Sequence, residues 1–447
     1  MALQNTDFST QEVNTLLKKA KRIFFIGIGG VSMSGLATYL HYNGAKIYGY
    51  DKERTEICQK LETIADIKYY STPDRVRDMD LVVYSLAIDE NNFEYKMAKK
   101  LQIPTLSRAN LLGYIISTYK TSIGIAGTHG KSTTVSILGK IFEYAGHKPT
   151  VFCGAHMKDF GASFLKGDSR VCIFEACEYK NSFLYMIPSE LGILNIEYDH
   201  PDFFKSADEL DESFIRLSTK PSKVFLNIDD KKSAEIIKRQ VISYGIDNEA
   251  DYRGTINENG FSVFFEGTEI AKCNVNFKGK HLIYDALCAF AIAHQNGISP
   301  RVICRAISEF QGVKRRFEYI GKTDTSLPVF EDYAHHPTEI KATLSSVSEM
   351  GYKRIFVAFQ PHTYSRSFYL YNEFTQAFKG ASELYFLPTF KAREENVFSL
   401  DEEAFARDSG GKLLADFNEL KQKIKETDCD IILLLGAGDI TNFKKYL

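Results

Sequence analysis

The 447 residues include no tryptophan, so intrinsic fluorescence must come from the 25 tyrosines. The chain also lacks an excess of either charge. Its 55 lysines and arginines face 57 aspartates and glutamates, for a formal net charge of −2. That balance gives no support to a general nucleic-acid or polybasic membrane-surface role. No stretch approaches the roughly 18 continuous apolar residues that a membrane-spanning helix needs. Apolar patches such as Ile431 to Leu435 are strand-sized. The opening stretch MALQNTDFST has neither a basic nor an apolar region, so no signal peptide is expected. The eight cysteines never form C-x-x-C and lie far apart, which argues against a disulfide framework or a zinc knuckle and for a reducing cytoplasm. Solenoid-length repeats and low-complexity tracts are absent as well.

A hydrophobic content of 44% with 25% charged residues is that of an ordinary globular protein. At roughly 150 residues per domain, the length suggests about three domains. Short apolar runs alternate with helix-like stretches. Lys21–Gly27, Lys46–Tyr50, Leu81–Ser85 and Ile103–Leu106 form one series. Thr121–Ala126, Val171–Glu175, Leu191–Ile196 and Lys223–Leu226 form a second, followed by a small antiparallel insertion between Tyr252 and Phe277 and a helix over Leu282–His294. Val329–Tyr333, Arg354–Phe359, Ser382–Phe386 and Asp430–Leu435 form a third. This alternation predicts three consecutive α/β domains with mostly parallel sheets, at residues 1–118, 119–320 and 321–447.

Ile123–Ser136 reads IGIAGTHGKSTTVS, an apolar strand entering Gly127-Thr128-His129-Gly130-Lys131-Ser132 and then a helix. Glycines there let backbone N–H groups turn onto phosphates, and the helix N-terminus adds partial positive charge. Lys131 can reach the β- and γ-phosphates of a triphosphate, and the Ser132 hydroxyl can bind Mg²⁺. Ile125 stands where the eight-residue pattern has its first glycine, so only the shorter G-x-x-G-K-[ST] form is met. Near the amino terminus, Gly27-Ile28-Gly29-Gly30-Val31-Ser32 begins like a dinucleotide fingerprint, but Ser32 replaces the third glycine. Asp51 ends the next strand, where an acidic residue could meet a ribose. These residues leave NAD, another diphosphate ligand and a structural turn all open.

Polar clusters at strand ends recur downstream. Glu175 ends VCIFE and Glu178 follows it, and a carboxylate beside a phosphate loop can hold Mg²⁺. His200, in Asp199-His200-Pro201-Asp202, could donate a proton, bind a metal or be a plain loop residue. Asp332, His335 and His336 crowd another strand end, as does FQPHTYSR over Phe359–Arg366. Arg315 and Arg316 could meet phosphate or carboxylate bidentately, or simply be solvated. Together the clusters predict a shared cleft between domains.

These segments resemble the Mur ligases from about Ile23 to Asn442, with the motifs in family order. The motifs are GIGGVSMSGLA, SRANLL, AGTHGKSTT, NIEYDH, GVKRRFE, DYAHHPTE, FQPHTYSR and GAGDI. The resemblance implies an ATP-dependent ligase of peptidoglycan precursor synthesis. It would activate the lactyl carboxylate of UDP-N-acetylmuramate as an acyl phosphate and couple it to L-alanine. It further implies Mg²⁺ or Mn²⁺, a cytoplasmic monomer or weak homodimer, and neither nucleic-acid nor membrane partners. By matching position, Gly29, Gly30, Val31 and Ser32, with Asp51 and Ser85, would bind the UDP-sugar. Gly127, Thr128, His129, Gly130, Lys131, Ser132, Thr133, His281, Asp285, Arg316 and Asp332 would bind ATP. Lys131, Glu175 and His200 would be catalytic, with Ser132, Glu175 and His200 on metal. His336 and Arg366 would take the amino acid.

The chain departs from the family in three places. Ser132 replaces a threonine, and either hydroxyl can bind Mg²⁺. His281-Leu282-Ile283-Tyr284-Asp285 stands where the family shows H-N-x-x-N, and ionised Asp285 accepts hydrogen bonds where asparagine also donates. Thr363 replaces an arginine, which leaves the amino-acid carboxylate mainly to Arg366. Three other functions compete with the first. They are a ligase adding a whole tripeptide to the same sugar nucleotide, a non-catalytic UDP-muramyl- or ATP-binding paralogue, and, last, an NAD-dependent dehydrogenase.

Overall fold

The computed structural model describes residues 3–392 and 394–446. Met1 and Ala2 of the polar opening stretch and Leu447 at the end of the third expected domain lie outside them. The described chain forms three α/β layers in sequence, each around its own sheet.

The first sheet has β1 (Arg22–Ile26), β2 (Lys46–Tyr50), β3 (Ala65–Lys68), β4 (Leu81–Tyr84) and β5 (Thr105–Ser107) in the order β3-β2-β1-β4-β5. All its pairs are parallel. Central strands covered on both faces need unbroken apolar runs, which is why RIFFI is buried from Ile23 onward.

The middle sheet holds β6 (Thr121–Ala126), β7 (Thr150–Met157), β8 (Ala162–Leu165), β9 (Val171–Glu175), β10 (Glu190–Ile193), β11 (Lys223–Asn227), β12 (Ile242–Gly245), β13 (Tyr252–Asn257), β14 (Gly260–Phe265) and β15 (Thr268–Asn274). Its order is β15-β14-β13-β12-β11-β10-β6-β9-β7-β8. The expected antiparallel insertion is the β13-β14-β15 ladder, and β13 pairs with β12 to continue the sheet rather than stand apart from it. β6 lies in the interior between β10 and β9, so its carboxyl end opens at the middle of the layer.

The third sheet holds β16 (Glu318–Lys322), β17 (Pro328–Asp332), β18 (Ile355–Phe359), β19 (Glu383–Phe386), β20 (Lys412–Leu413) and β21 (Ile431–Leu435), ordered β16-β17-β21-β18-β19-β20. β16 starts this sheet at Glu318, two residues before position 320.

The first and second layers share one apolar core, in which Leu112 and Ile116 join Phe174, Phe183 and Met186. The contact is close. Gly113, on the helix Arg108–Ser117, approaches the next layer so tightly that a Cβ would come 2.0 Å from the Tyr185 carbonyl oxygen. The third layer has separate cores and meets the middle one largely through charged groups.

One expectation is corrected here. Cys273 on β15 and Cys304 on the helix Pro300–Ser308 form a disulfide, although 31 residues separate them in sequence. Folding brings their Cα atoms to 4.7 Å, a proximity that wide spacing along the chain cannot reveal. It is a single bridge, and the other six cysteines are free.

Candidate active site

The loop after β6 is built on two glycines with positive φ, Gly127 at +142° and Gly130 at +86°. Gly130 caps the helix Lys131–Tyr144 without any side-chain cap, so the first N–H groups of that helix are left for a ligand. Lys131 Nζ donates to the Gly127 and Thr128 carbonyls at 2.5 and 2.9 Å and pairs with Glu178 at 3.0 Å. Burial opposes the Lys131 charge, but Glu178, with Cys177 and Glu175 near, holds its pKa above the ordinary value. Burial raises the pKa of Glu178, and Lys131 and His200 more than reverse this, leaving it lowered.

Ser132 Oγ donates to Glu175 Oε2 at 3.0 Å, and the Gly154 N–H donates to the same oxygen. His200 does not join them. Its Nε2 lies 3.5 Å from Glu178 and 3.7 Å from Asp199. Burial lowers the pKa of His200, but Asp199 and Glu178 bring it above its usual value. Asp199 is itself buried and accepts a hydrogen bond from Arg366 Nε at 2.9 Å, a link from the third layer to the middle one.

His129 bridges the same two layers. Its Nε2 is 3.0 Å from Glu197 and its Nδ1 is 3.3 Å from Glu339. Burial works against the charged ring, but the two carboxylates raise its pKa to about 9. Glu339 also meets Arg316 at 3.3 Å and closes a capping box with His336 at the start of the helix Pro337–Glu349. His336 Nδ1 accepts the Thr338 N–H, while its Nε2 is buried without a hydrogen-bond partner. Asp332, at the end of β17, accepts from the Phe317 and Ala334 N–H groups, and burial pushes its pKa up to about 6.

A cavity of about 590 Å³ lies among these parts and is lined by His129, Gly130, Thr133, His281, Asp285, Arg316 and Asp332, among others. It is large enough for a nucleotide. A second cleft of about 230 Å³ lies between the first and middle layers. Val31, Ser32 and Arg108 line one side of it, and Cys153, Glu175 and Cys177 the other. Ser32 accepts a hydrogen bond from Arg108 Nη1 at 3.0 Å, and no carboxylate pairs with Arg108 among the described residues. Gly30 opens the helix Val31–Tyr42, again without a side-chain cap. Asp51 accepts from the Gly29 N–H at 2.8 Å and so braces the glycine turn. Ser85 Oγ accepts from the Ala87 N–H at 3.2 Å. Gly29, Gly30, Asp51 and Ser85 are not among the residues lining this cleft.

Three family profiles match successive parts of the chain. The Mur ligase family catalytic domain covers residues 22–120, the Mur ligase middle domain 125–293 and the Mur ligase glutamate ligase domain 315–438. The UDP-N-acetylmuramate–L-alanine ligase of Caldanaerobacter subterraneus is 38% identical over 444 residues, covering 95% of this chain and 96% of that one. The protein of the same name from Clostridium acetobutylicum is 39% identical over 441 residues, covering 94% and 96%. The chain belongs to the Mur ligase family. The solved UDP-N-acetylmuramate-alanine ligase of Thermotoga maritima has the same fold, with a TM-score of 0.81, 24% identity and coverage of 95% and 97%.

Several polar groups of this Mur ligase's clefts escaped assignment from sequence. Glu178, noted only as the neighbour of Glu175, is the buried partner of both Lys131 and His200. Asp199, Glu197 and Glu339 join layers through residues more than a hundred positions away, as when Thr338 Oγ1 donates to Glu197 at 2.6 Å. Arg108 sits in a motif whose arginine has an evident use only once the cleft is seen.

Proposed function

We propose that this Mur ligase joins L-alanine to the lactyl carboxylate of UDP-N-acetylmuramate, converting ATP to ADP and phosphate. The observation that carries the reading is its near full-length identity to relatives named for that reaction, combined with an intact phosphate loop. Residues 1–118 would bind the sugar nucleotide, 119–320 ATP, and 321–447 the amino acid while covering ATP.

The lactyl carboxylate attacks the γ-phosphorus, the bond to the β,γ-bridging oxygen breaks, and ADP leaves. The alanine amine then attacks the acyl-phosphate carbonyl, loses a proton and expels phosphate. Lys131 would exchange its loop carbonyls and Glu178 for the γ-phosphate, where its charge opposes the repulsion between carboxylate and triphosphate. Arg366 would hold the carboxylate of L-alanine. With Nδ1 of His336 committed to the Thr338 N–H, its neutral ring carries the proton on Nε2, a buried donor suited to the same carboxylate. Ser132 and Glu175 are hard oxygen donors beside the loop and fit Mg²⁺ or Mn²⁺, with His200 as a further candidate ligand. The ion would supply charge neutralisation at the phosphates.

We place the reaction in the cytoplasm, on a monomer or weak homodimer without nucleic-acid or membrane partners. No helix among the described residues is long and apolar enough to cross a membrane. Phosphate release from ATP and Mg²⁺ is expected only when UDP-N-acetylmuramate and L-alanine are both present. Release with tripeptide in place of alanine, or none at all from folded protein, would overturn the reading.

Arg108, which has no carboxylate partner among the described residues and lines the cleft opposite Glu175, is suited to an anionic group of the sugar nucleotide. A charge-assisted hydrogen bond of this kind is worth about 1.5–3 kcal/mol. Arg108→Ala should therefore raise the KM for UDP-N-acetylmuramate about ten- to a hundredfold while the KM for ATP stays within a factor of two or so. Equal rises in both constants would assign Arg108 to general packing.

A further inference from the structure

Two histidines and a glutamate meet where the phosphate loop touches the third layer. His129 comes from the loop, Glu197 from the segment after β10, and His336 from the start of the helix Pro337–Glu349. Glu197 Oε2 lies 3.0 Å from His129 Nε2 and 3.6 Å from His336 Nδ1. One ligand atom of each residue stands within 4.8 Å of the other two. Zn²⁺ binds imidazole nitrogen and carboxylate oxygen at about 2.0–2.2 Å, which in a tetrahedron sets neighbouring donors about 3.3 Å apart. The two measured separations bracket that value.

The groups behind these atoms are those that support metal ligands. Thr338 Oγ1 donates to Glu197 Oε1 at 2.6 Å, which fixes the carboxylate and leaves Oε2 for an ion. His129 Nδ1 is 3.3 Å from Glu339 Oε1, and a carboxylate behind an imidazole orients the ring and raises its basicity. At neutral pH the ring carries a proton on each nitrogen, and the one on Nε2 leaves as an ion arrives. His336 Nδ1 already presents its lone pair, since it accepts the Thr338 N–H over a long 3.3 Å. It and Glu197 Oε2 are thus neighbouring acceptors with no hydrogen between them, an arrangement that a cation relieves. Thr338 is exposed, so its N–H can pass to water. His129 and Glu197 line the large cavity, which gives the ion a way in and leaves a fourth position open.

Two imidazole ligands disfavour Mg²⁺, which prefers oxygen, and suit Zn²⁺, Ni²⁺ or Co²⁺. None of Ser132, Glu175 and His200 belongs to this group. We propose that His129, Glu197 and His336 form a second metal site, for Zn²⁺ or a similar transition ion, that ties the phosphate loop to the third layer. An ion there holds two histidines that ATP and L-alanine would need, so it inhibits turnover. That consequence rests on the ligase reading, and the site itself does not.

The test is equilibrium binding of Zn²⁺ and Co²⁺ to the untagged full chain, with Mg²⁺ in large excess to fill the oxygen site. One ion per chain is expected, and bound Co²⁺ should show visible bands of nitrogen and oxygen ligation. The Glu197 side chain is 41% exposed, so Glu197→Gln should fold. It should weaken binding about a hundredfold, the upper end of what losing even an outer-shell partner costs. Glu175→Gln should leave binding unchanged. Zn²⁺ should inhibit phosphate release by the unsubstituted protein at saturating Mg²⁺, and a chelator should restore it. Binding that survives Glu197→Gln, or that is lost in Glu175→Gln, overturns the proposal. A thiolate-to-cobalt charge-transfer band overturns it too, since it puts the ion on a cysteine, as in the grouping of Glu383, Asp428 and Cys429. So does a lack of uptake at micromolar Zn²⁺. If the Zn²⁺-free protein releases no phosphate with both substrates, the ligase reading fails, and the binding data decide the metal site on their own.

Discussion

Lys131→Ala is expected to lower kcat by about a thousandfold or more, the scale seen when a positioned donor to a developing anion is removed from a closed site. The lysine already lies against the loop, held by two backbone carbonyls and Glu178, so ATP needs only to take over contacts that exist. The same substitution carries a stability cost. Glu178 is 2% exposed and, among the described residues, would keep only His200 as a cationic neighbour. Removing one partner of a buried pair costs about 3–5 kcal/mol. Adding Glu178→Gln to Lys131→Ala should recover most of the lost Tm and none of the turnover. Phosphate release and thermal unfolding on the two variants separate the effects, and recovery of turnover in the double variant would show that Lys131 only neutralises Glu178.

Arg366→Ala is the second large effect. Its Nε donates to Asp199 at 2.9 Å, and both side chains are buried where the third layer meets the middle one. Loss of the guanidinium strands the Asp199 carboxylate, which the pair holds well below the usual range despite burial. A destabilisation of about 3–5 kcal/mol follows, concentrated at the contact between layers. If Arg366 also holds the amino-acid carboxylate, the KM for L-alanine should rise by about a hundredfold while the KM for UDP-N-acetylmuramate changes little. Arg366→Lys should rescue little, because a single ammonium cannot keep Asp199 and a second carboxylate in one planar fork. Near-normal KM for L-alanine in Arg366→Lys would confine Arg366 to the interlayer pair.

What local sequence could convey was limited by the range over which side chains act. Strands covered on both faces advertise themselves as apolar runs. β6 and β9 accordingly begin and end at the residues expected from TSIGIA and VCIFE. The phosphate loop was legible for a related reason, since its glycines, lysine and hydroxyl serve one function within a few residues. Four of the six edge strands were not. β3, β8, β16 and β20 carry mixed or half-exposed residues, because one side of each meets solvent or a loop. The interlayer pairs were less visible still. Asp199 and Arg366 are 167 positions apart, and nothing in either segment specifies the other. The burial of Asp285 belongs with them, for nothing in HLIYD shows that its aspartate is enclosed.

The most direct measurement follows the oxygen atoms. UDP-N-acetylmuramate labelled with ¹⁸O in the lactyl carboxylate, incubated with the enzyme, ATP, Mg²⁺ and L-alanine, should deliver one labelled oxygen to the released phosphate. That transfer is expected because carboxylate attack on the γ-phosphorus leaves its oxygen on the phosphoryl group when the amine displaces it. Phosphate free of label, alongside ATP turnover, would mean that water and not the carboxylate attacks ATP, and would contradict the ligase mechanism proposed for this chain.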